Sequence, residues 1–324
     1  MSKLLNRIGI IAVFGVIFMS FTSCNEEDPI KQKRNKINSK LQEESKKVFD
    51  INMFSFDQWS TVKSKDSWTG EMKNNPYELP VEKEDKDDTE DGRFWKTASN
   101  RGYLLAGTFS GGKLPVEKPS DFPVQKLVEA NKGTGLLLQT NAGFLLSIGS
   151  LKMGSEIVPG SLYNGLLDAT KMSSKPLEST LFGTEFQKKP YKIKGFYKYK
   201  AGDKYIDGSK GADAIIPGKD QGIISGVFYE VTNDKTYLNG NTLYEDKRII
   251  SMVRLFADDT SGDKWKKFDI EFNTVNQAAF DAIDFTKKKY RLAIVISSSA
   301  NGDKFQGAVG SQFKVDQLEV LTQK

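Results

Sequence analysis

Between residues 266 and 272 apolar and polar positions alternate without a break, as Lys266-Lys267-Phe268-Asp269-Ile270-Glu271-Phe272. Successive side chains of a strand point to opposite faces, so Phe268, Ile270 and Phe272 are expected inward and Asp269 and Glu271 outward. Tyr290 to Ile296 (YRLAIVI) is a continuous apolar run and predicts a strand buried on both faces. Gly222 to Val231 (GIISGVFYEV) and Arg248 to Ala257 (RIISMVRLFA) predict further strands, being rich in Ile, Val and aromatic residues. Asn239-Gly240, Ser261-Gly262-Asp263 and Asn301-Gly302-Asp303 mark turns between them. Helical patterns are few. Pro123 to Lys132 (PVQKLVEANK) opens on Pro and stops at Gly133, and Thr274 to Ile283 is a shorter candidate. With no repeat of 20–50 residues, the pattern predicts an all-β chain with a single β-sandwich or jelly-roll domain.

Composition narrows the chemistry. The 324 residues include no histidine and one cysteine, Cys24. Histidine-dependent nucleophilic catalysis, histidine-ligated zinc and disulfides are therefore excluded. Carboxylate chemistry, oxygen-ligated cations and binding by aromatic and polar groups remain. The formal charge is +5, but no basic stripe interleaved with aromatics appears, so no nucleic-acid partner is expected.

Lys3 and Arg7 precede the short apolar run Ile8 to Met19, and Ser20-Phe21-Thr22-Ser23 leads to Cys24. This order of charge, apolar stretch, small residue and cysteine resembles a bacterial lipoprotein signal. The resemblance implies cleavage after residue 23 and a lipid on Cys24. Cleavage would remove Lys3 and Arg7 and no acids, taking the charge from +5 to +3. Asn25-Glu26-Glu27-Asp28 is similar to the surface-export signal of Bacteroidota lipoproteins. The expected location is thus the outer membrane, lipid-anchored and facing outward. Residues 24–48 read as the lipidated cysteine and a polar stalk, partly helical, and residues 49–324 as the β domain. Glu82 to Asp91 (EKEDKDDTED) reads as a solvated acidic loop.

A series of segments in the C-terminal half belongs together: Lys189-Pro190-Tyr191, Gly195 to Gly202 (GFYKYKAG), Trp265 to Phe268 (WKKF), Ser297 to Ser311 (SSSANGDKFQGAVGS) and Val315-Asp316. They resemble the "GYYKYxPG" strand and "SSSxxGDxFxGAxGS…VD" ending of the putative carbohydrate metabolism domain (PCMD) of Bacteroidota surface lipoproteins. Ala201 stands where that family often has Pro. Phe56 to Trp59, Phe94-Trp95 with Asn100-Arg101-Gly102, and Gly160 to Gly165 extend the likeness to about residues 50–324. The resemblance implies a jelly roll similar to carbohydrate-binding modules.

Sugars offer apolar C–H faces to aromatic rings and hydroxyls to amides, carboxylates and lysines. Alternation puts Tyr197 and Tyr199 on one strand face and Phe196, Lys198 and Lys200 on the other. Phe196, Tyr197, Lys198 and Tyr199 are candidate glycan contacts; core tyrosines with plain surface lysines are the competing reading. Trp95 is a candidate stacking platform or a core residue, and Trp68 and Tyr77 lie where exposure is expected. Tyr163-Asn164-Gly165 reads as a turn with an aromatic at its edge. Ser298, Asp303 and Lys304 either line a ligand rim or stabilise the turn after a buried strand. Alternation places Asp316 on a face with Leu318 and Val320, where a carboxylate needs a partner or a cation. Carbohydrate-binding jelly rolls often hold Ca²⁺ between acids of the first and last strands, so Asp57 and Asp316 are the candidate structural calcium ligands.

The expected function is glycan binding at the cell surface in support of carbohydrate capture, with outer-membrane uptake proteins as partners and no chemistry of its own. One alternative is a glycoside hydrolase or lyase using Asp/Glu pairs drawn from acids such as Asp207, Asp213, Asp258, Asp259 and Asp303. Another is an adhesin or structural module with a protein partner.

Overall fold

The alternation at 266–272 folds as its pattern requires: Phe268 is buried, Ile270 half-buried, and Asp269 and Glu271 exposed. The computed structural model describes residues 30, 32–37, 39, 49–65, 69–148, 151–232, 236–260 and 264–323. The signal segment, Cys24 and Trp68 lie outside the described residues. The chain divides into two units, Met1–Lys47 and Val48–Lys324. In the first, residues 32–37 are helical and exposed.

The second unit opens with β1 (Phe49–Phe54), β2 (Trp59–Lys65), β3 (Met72–Pro80) and β4 (Trp95–Lys96), followed by helix α1 (Ala98–Phe109). Next come β5 (Val124–Leu127), β6 (Gly135–Gln139), β7 (Asn141–Ile148), β8 (Leu151–Val158) and β9 (Ser161–Leu167). The short helix α2 (Pro176–Ser179) leads to β10 (Thr180–Phe182), β11 (Thr184–Glu185), β12 (Pro190–Lys200) and β13 (Tyr205–Asp207). Then follow β14 (Gly222–Val231), β15 (Ile249–Ala257), β16 (Lys266–Glu271), β17 (Asn273–Thr274) and helix α3 (Gln277–Asp281). The last strands are β18 (Lys289–Ser297), β19 (Gln306–Ala308) and β20 (Gln312–Gln323).

Two antiparallel sheets carry the domain. The first has the order β16-β12-β20-β6-β5, with β1 also on β20; the second runs β10-β9-β18-β14-β15-β17, with β11 on β18 and β4 on β9. Tyr197, Tyr199, Phe313 and Val315 of the first sheet share one core with Ile224, Phe228, Ile294 and Ile296 of the second. The Tyr199 hydroxyl crosses between the sheets to donate to the Ser298 carbonyl at 3.0 Å. This is the expected β-sandwich. Strands β14 and β18 are buried on both faces, because Tyr163, Val227, Tyr229 and Val295 pack under Phe182, Leu238 and Leu243 in a second core. The apolar run at 290–296 therefore needs no alternation.

Three expectations change. Residues 124–127 form β5, paired with β6, where a helix over 123–132 was expected. Gly133, read as a helix stop, instead turns the β5–β6 hairpin in the left-handed region at φ +68°. Conversely, α1 carries glycines that mask it in sequence. A Cβ on Gly107 would come within 2.5 Å of Val116, so close packing demands the glycine. Nor is the acidic stretch 82–91 merely solvated. Asp85 accepts from buried Arg93 at 2.7 Å and from the Phe94 amide at 2.7 Å, and Glu82 accepts from Trp95 Nε1 at 2.9 Å.

Candidate functional site

Strand β12 presents two chemistries because its side chains alternate. Ile193, Tyr197 and Tyr199 point into the core while Phe196 and Lys198 are half-buried on the outer face and Lys200 is exposed. Antiparallel pairing with β20 sets Lys198 against Lys314 and Lys200 against Gln312, and β6 adds Gln139 opposite Gln312. Beyond Tyr197 the other edge of β12 no longer pairs with β16, and the loop after β15 takes its place. The Thr260 amide donates to the Tyr199 carbonyl at 3.0 Å, and the Ala201 amide donates to Asp259 Oδ1 at 2.6 Å. The loop thereby becomes a wall. Between it and the sheet lies a cavity of about 400 Å³, bordered by Lys198, Lys200, Asp259, Thr260, Gln312 and Lys314. The half-buried Trp265 flanks it, its ring centroid 5.2 Å from Lys198 Nζ.

Such a site combines three ammonium groups, an amide, a hydroxyl and a carboxylate, with an indole under one of the lysines. Those groups suit an oxygen-rich ligand with apolar patches. Of the residues singled out in the sequence, Phe196 and Lys198 lie on this outer face, and Tyr199 borders the cavity while its ring packs against Phe313 at 5.6 Å. Trp265, Lys314, Gln312 and Thr260 are not among those candidates. Trp265 stands directly before the alternating strand β16, which is the signal that marks it as a sheet-end aromatic.

The remaining nominees fall elsewhere. Trp95 is 0% exposed and Tyr197 1%, each wedged among other rings, so neither can stack on a glycan; Tyr199 at 2% is likewise a core residue. Tyr77 is buried in β3, and Tyr163 is buried within β9 rather than at a turn. Ser298 is a buried structural group. Its Oγ meets Thr140 Oγ1 at 2.7 Å and accepts from the Gly160 amide at 2.9 Å. Neighbouring Ser299 donates at 2.6 Å to Asp220 Oδ2, which also accepts from Ser311 Oγ at 2.7 Å and the Ala308 amide at 2.9 Å. The serine-rich motif is thus a polar hub joining β18, β19 and β20, with burial holding the Asp220 carboxyl above its ordinary range. Asp303 and Lys304 sit exposed on the 3₁₀ turn Gly302–Lys304, outside the residues that line the cavity.

The last candidate pair does converge. A bulge at Gln317, in the left-handed region at φ 50°, shifts the register between β12 and β20. It reverses the parity of β20, so Asp316 shares its side with Lys314, not with Leu318 and Val320 as alternation implied. The β5–β6 turn covers Asp316 completely, and the Lys132 amide donates to its Oδ2 at 2.8 Å. Oδ1 is buried with no hydrogen-bond partner. Asp57 accepts from the Thr134 amide of the same turn at 3.2 Å. Burial pushes the Asp316 carboxyl up, the Lys132 amide opposes this, and the negative charge of Asp57 adds to the rise. Among the described residues no group of three or more acidic, histidine or cysteine side chains is gathered for a metal. A cation here would rely on Asp57, Asp316 and backbone oxygens.

The acids considered for hydrolysis are mostly engaged. Asp207 accepts from Ser209 Oγ at 2.6 Å and pairs with Lys210 at 2.8 Å. Asp258 accepts from Gln221 Nε2, and Asp259 adds Lys219 at 3.8 Å to its bond from Ala201.

A family model described as "Putative carbohydrate metabolism domain" matches residues 55–321. Among the solved structures that align with the chain are two from Bacteroides. One, described as a putative glycoside hydrolase from Bacteroides thetaiotaomicron, shares 29% identity at a TM-score of 0.64, over 82% of this chain and 71% of its own. The other, a putative glycoside hydrolase from Bacteroides vulgatus, shares 27% identity at a TM-score of 0.63, over 84% and 98%. No curated protein matches the chain.

Proposed function

The chain belongs to the putative carbohydrate metabolism domain family, and we propose that it binds glycans on the outer face of β12 and β20 without chemistry of its own. The observation that carries this reading is the cavity between that face and the Asp259–Thr260 wall, with Trp265 beside its lysines, amide and hydroxyl. In this reading the indole stacks on a sugar ring while the polar groups bind hydroxyls.

The two solved relatives are described as putative glycoside hydrolases, which makes hydrolysis the second reading. Hydrolysis by the usual mechanism needs two carboxylates about 5–10 Å apart across the bond. The residues lining the cavity include one, Asp259, already bound by Ala201 and Lys219. Binding is therefore preferred.

The N-terminal pattern supports a lipid on Cys24, an outer-membrane anchor and outward display, with outer-membrane uptake proteins as partners for the captured glycan. Further along the same face of β20, under the β5–β6 turn, the orphan Oδ1 of Asp316 supports a structural Ca²⁺ held with Asp57. Such an ion would neutralise a buried carboxylate and lock the β5–β6 turn to the last strand.

A glycan array, followed by prolonged incubation of every hit and product analysis, tests the assignment. Saturable binding without products is the expected result. Turnover would favour the hydrolase reading, and silence on both would favour a protein partner.

A further inference from the structure

We propose that the cavity selects an anionic glycan, one bearing carboxylates or sulfate esters; this rests on the glycan-binding reading above. The outer face of β12 carries a lysine at Lys192, Lys194, Lys198 and Lys200, and its two ends are treated differently. At one end the charges are matched. Lys192 lies 3.4 Å from Asp269 and 3.6 Å from Glu271, and Lys194 lies 3.5 Å from Glu319. At the other end, where the cavity opens, Lys198 is set directly against Lys314, with Lys200 one pleat further along the same face.

Like charges directly opposed across a ladder destabilise it. Neither Lys200 nor Lys314 has an acidic side chain within ion-pair distance among the described residues. The one carboxylate on the cavity wall, Asp259, is held by the Ala201 amide and Lys219. The cavity thus gathers three ammonium groups, two of which, on Lys200 and Lys314, have no acidic partner among the described residues. A neutral sugar would leave the Lys200 and Lys314 charges without an acidic partner, whereas a uronate or sulfated sugar supplies one on binding. Trp265 beside Lys198 gives the ring of such a sugar an apolar face to rest on. A bare inorganic anion would make no use of that face.

Calorimetric titration of the full chain with polygalacturonate, dextran sulfate and neutral dextran, at low and high salt, tests this. The variants are Lys198→Gln, Lys200→Gln and Lys314→Gln combined, and a control with the exposed lysines Lys83, Lys118 and Lys247 changed to Gln. The expected result is binding of polygalacturonate, dextran sulfate or both in preference to dextran. The cavity variant should weaken it roughly tenfold or more and the control should not. Which polymer binds separates carboxylate from sulfate recognition. Equal losses in both variants would reduce the effect to overall charge and overturn the proposal. Equal binding of dextran, lost on Trp265→Ala but indifferent to the lysines, would overturn it while leaving glycan binding in place. Failure to bind any carbohydrate, here and on an array, would overturn both.

Discussion

Lys198 and Lys314 stand directly opposite each other across the β12–β20 ladder, on the sheet face that walls the cavity. A repelling pair at a cross-strand position is a stability defect that its site has to justify. Lys314→Glu converts it into an attracting pair. The variant should gain about 0.2–1 kcal/mol in urea unfolding at low salt, with the gain shrinking as salt rises. A loss of stability at every salt concentration would show that the two ammonium groups do not repel.

Rim and core aromatics should separate cleanly. Tyr197 is buried between Phe268 and Phe313, at centroid distances of 6.2 and 5.9 Å, so Tyr197→Ala should cost roughly 3–5 kcal/mol. Trp265→Ala should leave the melting temperature nearly unchanged and weaken glycan binding. If instead Trp265→Ala unfolds the chain and keeps its affinity, the indole is a packing residue.

The Asp57–Asp316 corner has a signature of its own. In a chelator, Asp316→Asn should be no less stable than the parent, because it replaces a buried carboxylate that has an orphan oxygen. Added calcium should raise the melting temperature of the parent and leave the variant where it was. An identical response of both proteins to calcium would remove the ion from this corner.

Glu82 sets a pH dependence. Burial pushes its carboxyl from 4.5 to about 7, against the hydrogen bond donated by Trp95 Nε1, which pulls it down. The folded state therefore holds a proton that the unfolded chain releases near pH 4.5. Stability is fully present below that value and is lost as pH rises through about 7, by at most roughly 3 kcal/mol. Melting temperatures should fall between pH 5 and 7, and Glu82→Gln should flatten that fall. Parallel curves for the two proteins would contradict it.

How much of this could be read from the chain depends on how local the cause is. Strict alternation fixed the faces of β16, and unbroken apolar runs marked β14 and β18, since side-chain period needs no distant partner. Parity also placed Tyr197 opposite to Lys198, but left open which face met water. The bulge at Gln317 was invisible, and it reversed the environment of Asp316 while leaving its pairing with Asp57 as a candidate. Helix α1 was hidden by Gly102 and Gly107, and the packing of Val116 accounts for the second of them. Lys314 and Thr260 join Lys198 only through register and a docked loop, which are long-range facts. Gly133 reads locally as a helix stop, and only the pairing of β5 with β6 makes it a hairpin turn.

In the proposed function the outer face of β12 and β20 holds the glycan and leaves it intact. Backbone NMR of the full chain, titrated with the oligosaccharide that binds best on an array, tests it most directly. Shifts should concentrate at Lys198, Lys200, Thr260, Trp265, Gln312 and Lys314, with the sugar resonances unchanged in number over prolonged incubation. Shifts gathered at Asp303 and Lys304 instead, or new reducing-end signals from a cleaved sugar, would contradict it.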